Sequence, residues 1–339
     1  MNRPRPTIKD VAAQAGVSKA AVSLAFNNKP GVSETTRARI IETARAMGWE
    51  PHLSARSLTT GSGAVGLAIR RPSRQLGLEP FYMEFISGME SVLTERGGAL
   101  LLRLVRDADE EIRLQRHWWK SGQIAGSVLV DFQQDDPRVP ELARIGLPAV
   151  AVAHPSLAGP FAALWTDDGT AVGDAVRYLA ALGHRTIARV GGSARLGHSV
   201  IRSTAFATAV AGLGLPEGRQ MATDFSGAAG ARATRTLLAS AVRPTAVIYD
   251  NDLMAVAGLS VAAEMGLRVP ADVSLLAWDD SQLCRLTHPT LSAMSHDIHA
   301  FGSDAARALY AVLGGARAVS HQAATPVLTP RGSTAPPAR

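Results

Sequence analysis

A chain of 339 residues with a single cysteine, Cys284, has no means of building an internal disulfide framework or a multi-cysteine metal site. It contains no apolar run of about 20 residues, the length a bilayer-spanning helix needs. The opening segment MNRPRPTIKD carries no apolar stretch suited to secretion, so a cytosolic protein without membrane contact is expected. Also missing are a nucleophile elbow, a phosphate-cradling loop and histidines at metal-ligand spacing, so neither a catalytic site, a metal nor a cofactor is expected. Gly61-Ser62-Gly63-Ala64-Val65-Gly66 satisfies G-x-G-x-x-G. A dinucleotide fingerprint follows a strand and opens a helix, whereas this one precedes an apolar strand and reads as a joint. The C-terminal TPVLTPRGSTAPPAR has no heptad run and so offers no coiled-coil helix for higher assembly.

What is present describes a globular chain, 46% hydrophobic and 19% charged, long enough for two or three compact units. Its positive charge is unevenly placed. Residues 1–60 hold nine Lys or Arg against four acids, a net of +5 in a chain of +6. Excess cations gathered in under a fifth of the length are where phosphate neutralisation would need them.

The same stretch has a helical pattern. Thr7 stands at an N-cap position before Ile8, Val11, Ala12 and Ala15, which recur at helical spacing. Gly16 tolerates the positive φ of a tight corner, and Ser18 is placed to cap a second helix. That helix turns Ala21, Val22 and Ala25 inward and leaves Lys19, Ala20, Ser23 and Leu24 outside, a face able to enter a major groove. Pro30-Gly31 makes a turn, and Ser33 caps a third helix with Ile40, Ile41, Ala44 and Met47 as its buried stripe. Pro51 then opens about two helical turns, too short to be stable alone.

The run TIKDVAAQAGVSKAAVSLAFNNKPGVSETTRARIIETARAMGWEPHLSARSL resembles the head and hinge of the lactose-repressor (LacI/GalR) family of bacterial transcription regulators, and weaker ordered matches continue to RGST near the C-terminus. The resemblance implies a small all-α helix-turn-helix head on an α/β periplasmic-binding-protein-like (type I) core of two doubly wound parallel-sheet lobes. It also implies a homodimer on a palindromic double-stranded DNA operator, controlled by a small-molecule effector. The DNA-contacting positions it implies are Thr7, Ser18, Lys19, Ala20, Ser23, Asn27, Ser33, Thr36, Ala55 and Leu58, with Leu58 as a minor-groove wedge. Leu24 departs from the pattern, standing where some members have a base-reading arginine.

From residue 64 onward, apolar runs at 65–69, 99–104, 126–130, 149–153, 187–190, 246–249 and 273–278 alternate with helical patterns at 81–96, 169–182, 199–212, 228–240 and 252–265. Such alternation predicts parallel sheets covered on both faces. An eight-unit barrel shares this pattern; the head and the family match favour two lobes. The expected division is a head over 1–50 and a hinge over 51–62. The N-terminal lobe takes 63–162 with 293–323, the C-terminal lobe 163–292 with 324–333, and 334–339 form a disordered tail.

Ligands of such folds bind at the carboxyl ends of strands. By the same resemblance Phe81, Tyr82, Arg202, Phe225, Asn251 and Asp279 line the effector cleft, while Asp252 is most simply a helix N-cap. Acids, an amide, an arginine and aromatic faces suit a polyhydroxylated ligand, so a carbohydrate effector is expected. Arg70 and Arg71 after the first strand, and Ala153-His154 where relatives carry an acid, leave room for an anionic sugar phosphate. The competing readings are a solute-binding protein without transcriptional duty, and an enzyme using Asp279, Asp280 and His296.

Overall fold

The computed structural model describes residues 6–26, 29–49, 64–72, 77, 79–317 and 319–338. Asn27, Ala55, Leu58, the hinge and Gly61 to Gly63 lie outside the described residues. The head comprises α1 (Ile8–Gln14), α2 (Lys19–Phe26) and α3 (Glu34–Ala46). Val11, Val22 and Ile40 are fully buried at its centre, and Gly16 takes φ +64° at the corner. Ser18 accepts the Ala21 amide at 3.1 Å and Ser33 the Thr36 amide at 3.3 Å, both as caps. Thr7 is the N-cap of α1 in a reciprocal capping box with Asp10, whose Oδ2 accepts from the Thr7 amide at 2.7 Å and from the Thr7 hydroxyl at 2.6 Å.

The core follows as β1 (Ala64–Ile69), α4 (Pro80–Glu95), β2 (Leu100–Leu104), α5 (Ala108–Lys120), β3 (Ile124–Leu129), α6 (Arg138–Arg144), β4 (Ala149–Val152), α7 (Pro155–Ala158), β5 (Ala162–Trp165) and α8 (Asp168–Ala181). Then come β6 (Ile187–Gly191), α9 (Gly197–Gly212), β7 (Gln220–Ala222), α10 (Gly227–Leu238), β8 (Ala246–Tyr249), α11 (Asp252–Glu264), β9 (Ser274–Asp279), α12 (Gln282–Leu286), β10 (Ser292–Ser295), α13 (Ile298–Leu313), β11 (His321–Gln322) and β12 (Val327–Thr329). No helix of the described residues is long and apolar enough to cross a membrane.

Two six-stranded sheets result, in the orders β11-β5-β4-β3-β1-β2 and β12-β10-β9-β8-β6-β7. All pairings are parallel except β10 with β12, an antiparallel edge the sequence pattern did not foretell. Each sheet is covered on both faces. In the first lobe α4 and α13 pack with Val65, Leu67, Val128 and Val150, while Trp118 and Leu142 from α5 and α6 lie in the opposite cluster with Leu129 and Ala151. In the second lobe α8 and α9 cover one face and α10 and α11 the other.

The crossings between lobes fall later than expected. β5 belongs whole to the first sheet and β10 whole to the second, so the chain leaves after Trp165, not near 162, and returns after Ser295, not near 292. A strand stays with the ladder that satisfies its amides, so crossings occur at strand ends. The tail is a second correction. Residues 334–338 are not disordered: Ala335 bonds Ser274 Oγ through its amide at 3.1 Å, His184 Nε2 meets its carbonyl at 2.9 Å, and Thr334 meets Tyr178 Oη at 2.8 Å. Ser274 on β9 and His184 in the α8–β6 turn, both far from the tail in sequence, supply the polar groups that hold it.

Helices α4 and α13 meet at glycines. A Cβ on Gly302 would lie 2.0 Å from the Phe85 carbonyl oxygen and one on Gly88 1.9 Å from that of His299. Neither backbone can move aside cheaply. Gly302→Ala is therefore expected to destabilise the protein by about 1–3 kcal/mol, the range for overpacking, and denaturant unfolding checks this; an unchanged midpoint would contradict the close approach.

Candidate functional sites in the helical head and the interlobe cleft

On the head, Lys19, Ala20 and Ser23 are exposed along one side of α2, and Leu24 is half-buried beside Gly31. Thr7, Ser18, Ser33 and Thr36 sit at helix starts, where unpaired amides and the helix dipole favour anions such as phosphate. Arg37, part of the cationic count, bonds the carbonyls of Ala25 and Lys29 at 3.1 and 3.0 Å and so ties α3 to the end of α2. Trp49, edge-on to Phe26 at 5.2 Å, closes the small core of the head.

Between the lobes lies a cleft of about 420 Å³, within the range of small-molecule sites. Its walls are strand ends: Arg71 follows β1, Asp131 β3, Asp250 and Asn251 β8, and His296 β10, while Trp165 and Asp279 end β5 and β9. Three wall residues, Asp131, Phe225 and Asp279, have φ of +55°, +66° and +79°. Each such conformation costs a non-glycine residue about 1–3 kcal/mol and persists only where surrounding bonds impose it.

Most charges here are paired. Asp131 receives Arg71 Nη1 at 2.7 Å and the Tyr82 hydroxyl at 2.8 Å; burial alone would raise its carboxyl, but Arg71 and its other partners hold it below the ordinary value. Arg71 also meets Glu79 at 3.1 Å. Arg202 pairs with Asp168 at 3.0 Å, donates to the Asp250 carbonyl at 3.2 Å and lies 4.3 Å over the Trp278 ring. Asp250 is held by the Arg189 fork and by the Gly192 amide at 3.0 Å.

Asp279 is the exception. It is 8% exposed, lines the cleft and accepts no hydrogen bond among the described residues. Burial pushes its carboxyl well above the usual range, against the pull of Arg202 and aided by Asp252, Asp168 and Asp250. A buried carboxyl that no residue satisfies is suited to exchange hydrogen bonds with a ligand.

All six sequence-predicted cleft residues line this cavity, in different circumstances. Tyr82 is 2% exposed with its hydroxyl engaged, and Phe81 lies edge-on to it at 5.4 Å. Asn251, not Asp252, caps α11: its oxygen accepts the Met254 amide at 2.9 Å and its amide donates to the Phe225 carbonyl at 3.0 Å. That leaves one N–H and one lone pair for a ligand. Asp252 stands one residue inside the helix and accepts the Ser281 amide at 3.3 Å. Asp280, adjacent to Asp279, accepts from both nitrogens of the Arg331 fork at 2.7 and 2.8 Å and fixes the segment that follows β12.

Arg70 and Arg71 are not free cations beside the cleft. Arg70 faces Glu111 and Asp136 at 3.5 and 3.9 Å, away from the cavity wall, and Arg71 is matched by Asp131 and Glu79. Asp131, Asp168, Asp250, His198 and His296 were not singled out as ligand-facing. The available signal was an acid directly after a buried strand, as in Val130-Asp131 and Tyr249-Asp250. The lobes also touch: the Gly197 amide donates to the Phe132 carbonyl at 2.7 Å, and the Arg71 guanidinium lies 5.7 Å from the Phe225 ring.

An unsatisfied acid raised in the folded state weakens stability at neutral pH, and the penalty fades as pH falls towards its unfolded value. Asp279→Asn is thus expected to raise the Tm of the ligand-free protein at pH 7, with the gain shrinking on acidification. Thermal scans across pH check this, and a lower Tm at pH 7 would contradict it.

Residues 7–52 match the model of bacterial regulatory proteins, lacI family, and residues 176–334 that of the periplasmic binding protein-like domain. The HTH-type transcriptional regulator CelR of Thermobifida fusca is 31% identical over 313 residues, covering 91% of this chain and 92% of that protein. Among solved structures, a LacI family transcriptional regulator from Bifidobacterium animalis subsp. lactis DSM 10140 is 37% identical with a TM-score of 0.73, covering 81% of this chain and 98% of that one. The transcriptional regulator CelR–cellobiose complex is 28% identical with a TM-score of 0.72, covering 97% and 100%.

Proposed function

The chain belongs to the lacI family of bacterial regulatory proteins and is a DNA-binding transcriptional regulator with an effector-binding unit, and from that premise we propose that its effector is an uncharged polyhydroxylated molecule, a sugar or sugar derivative. The observation that carries this reading is the charge arrangement of the cleft. Arg71 and Arg202 are already matched by carboxylates, while Asp279 has no partner and aromatic faces from Phe81, Trp165 and Phe225 stand nearby. Hydroxyls fit an unsatisfied acid, and the C–H face of a sugar ring fits an aromatic plane. A phosphate would meet unmatched acid with no free guanidinium, so the sugar-phosphate alternative is disfavoured. The complex of the relative CelR with cellobiose supports a saccharide.

In this reading the ligand acts only through different affinities for two arrangements of the lobes, and the favoured arrangement sets how two heads grip an inverted repeat. The chain acts as a homodimer and as a repressor. Lys19 and Ala20 read base edges, Ser23 faces the same groove, and Thr7, Ser18, Ser33 and Thr36 bind backbone phosphate. Asn27, Ala55 and Leu58 carry the contacts the family resemblance implies.

A thermal-shift panel of neutral saccharides and their phosphates tests the effector class: a neutral member is expected to raise the Tm more than its phosphate, and the reverse order would contradict the proposal. Lys19→Gln is expected to weaken binding to the preferred operator by about 1–3 kcal/mol if the lysine reads a base. Fluorescence anisotropy on operator variants checks it, since a loss equal on all sequences would make the contact one to phosphate.

A further inference from the structure

The chain holds 31 arginines and four lysines, Lys9, Lys19, Lys29 and Lys120, and three of the four lysines stand in the head. The head thus carries three lysines among nine cations, and the rest of the chain one among 26. The two residue types are also used differently. Fourteen arginines lie within 4.0 Å of a carboxylate, and among the described residues every such ion pair is made by an arginine. A planar guanidinium fork suits such pairing, whereas an ammonium is a compact charge on a flexible stem. All four lysines are exposed, and none lines the interlobe cleft.

Lys19 is the most open of the three in the head. It begins α2 directly after the Ser18 cap, and no acid stands in the first turn of that helix. Ala20 and Ser23 on the same outward side are small and exposed, so a small reagent reaches the amine from solvent. Lys9, by contrast, precedes Asp10, which Thr7 engages at 2.6 Å. An activated acyl group transfers to an amine that can shed its proton, and not to a guanidinium, which stays protonated. The lysine targets of such a reagent are therefore almost confined to the DNA-binding unit. Acylation of all three head lysines would take its net charge from +5 to +2.

We propose that the head is a site of lysine acylation, with Lys19 as the residue that decides operator affinity and a small acyl phosphate as the donor. This rests on α2 facing the duplex. The neutral Nζ attacks the carbonyl carbon of the acyl phosphate, and the N–C bond forms as the C–O bond to phosphate breaks. Inorganic phosphate departs with the bonding pair, and the proton shed by the nitrogen passes to solvent; nothing is oxidised or reduced. The product is a neutral amide with a single N–H in place of a cation with three donors, so a contact to guanine acceptors or phosphate is lost. The donor is an anion, which the net +5 of the head attracts. Because no lysine lines the cleft, the modification acts on the grip of the heads and not on the effector site.

The full chain is incubated with acetyl phosphate, with and without its preferred operator, and peptide mass spectrometry reads the occupancy at each lysine. Lys19 of the free protein is expected to be acetylated at least as fully as Lys120, and operator to protect Lys19 at least tenfold while leaving Lys120 reactive. Protein treated without operator is then passed over operator-coated beads, and acetyl-Lys19 is expected to be enriched at least fivefold in the fraction that does not bind. An unmodified Lys19 where Lys120 reacts, or acetyl-Lys19 shared evenly between the two fractions, would overturn the inference and leave the reading of α2 standing. Equal acetylation with and without bound operator would show that α2 does not face the duplex and overturn both. Lys19→Arg, compared with itself before and after treatment, is expected to lose operator affinity by a smaller factor than the wild type, and Lys120→Arg by the same factor as the wild type. An equal loss in Lys19→Arg would assign the effect to other amines and overturn the role given to Lys19.

Discussion

A buried charge without a partner is too costly to keep, and the strand ends of both lobes are arranged around that constraint. Arg138, fully buried, reaches Glu111 and Asp136 at 2.7 Å and also donates to the carbonyls of Val130 and Asp131 at 2.9 and 3.1 Å. Arg71 holds the Asp131 carboxylate from the other side, which keeps that residue in its left-handed conformation. In the second lobe Arg189 and Arg202 neutralise the carboxylates of Asp250 and Asp168. Breaking one such pair would leave its partner charged and buried, at about 3–5 kcal/mol, so the pairs make the cleft wall rigid. Rigidity is what lets Asp279 remain unsatisfied without the wall collapsing onto it.

The same arrangement connects ligand to DNA. The lobes meet along the Phe132–Gly197 bond and the Arg71–Phe225 contact, and they are joined where the chain crosses after Trp165 and Ser295. The last crossing lies between β11 and β12, and the segment after β12 is anchored through Arg331 to Asp280, next to Asp279. A ligand bonded to the strand ends therefore acts on the elements that set the relation of the lobes. The head carries nearly all the excess positive charge of the chain, so its grip on a duplex is electrostatic in large part and open to modulation by small changes in the placement of two heads.

The head was legible in the sequence because its structure is decided within a few residues. Gly16 takes the positive φ its position demanded, Ser18 and Ser33 cap as expected, and the apolar spacing of Val11, Val22 and Ile40 meets at one point. The longer core strands were legible as apolar runs. β5, β10 and β7 were not: AALW, SAMS and QMA hold no β-branched residue, whereas AVAV of β4 and AVIY of β8, as short as the first two, do. Pairings between distant residues left no local trace. Arg71 and Asp131 are 60 residues apart and Arg189 and Asp250 are 61 apart, so the cations read as free beside the cleft were already matched. Asn251 and Asp252 are both able caps, and only the fold, which sets Asn251 against the Phe225 carbonyl, decides between them.

Ionic strength tests the internal neutralisation of the cleft most directly. The dissociation constant of the tightest neutral saccharide, measured by calorimetry from about 50 to 500 mM salt, is expected to stay nearly constant, because buried matched charges are weakly screened and the ligand carries none. A steep fall in affinity with salt would mean that a free charge in the cleft holds a charged ligand, contrary to the pairing of Arg71 and Arg202 described above.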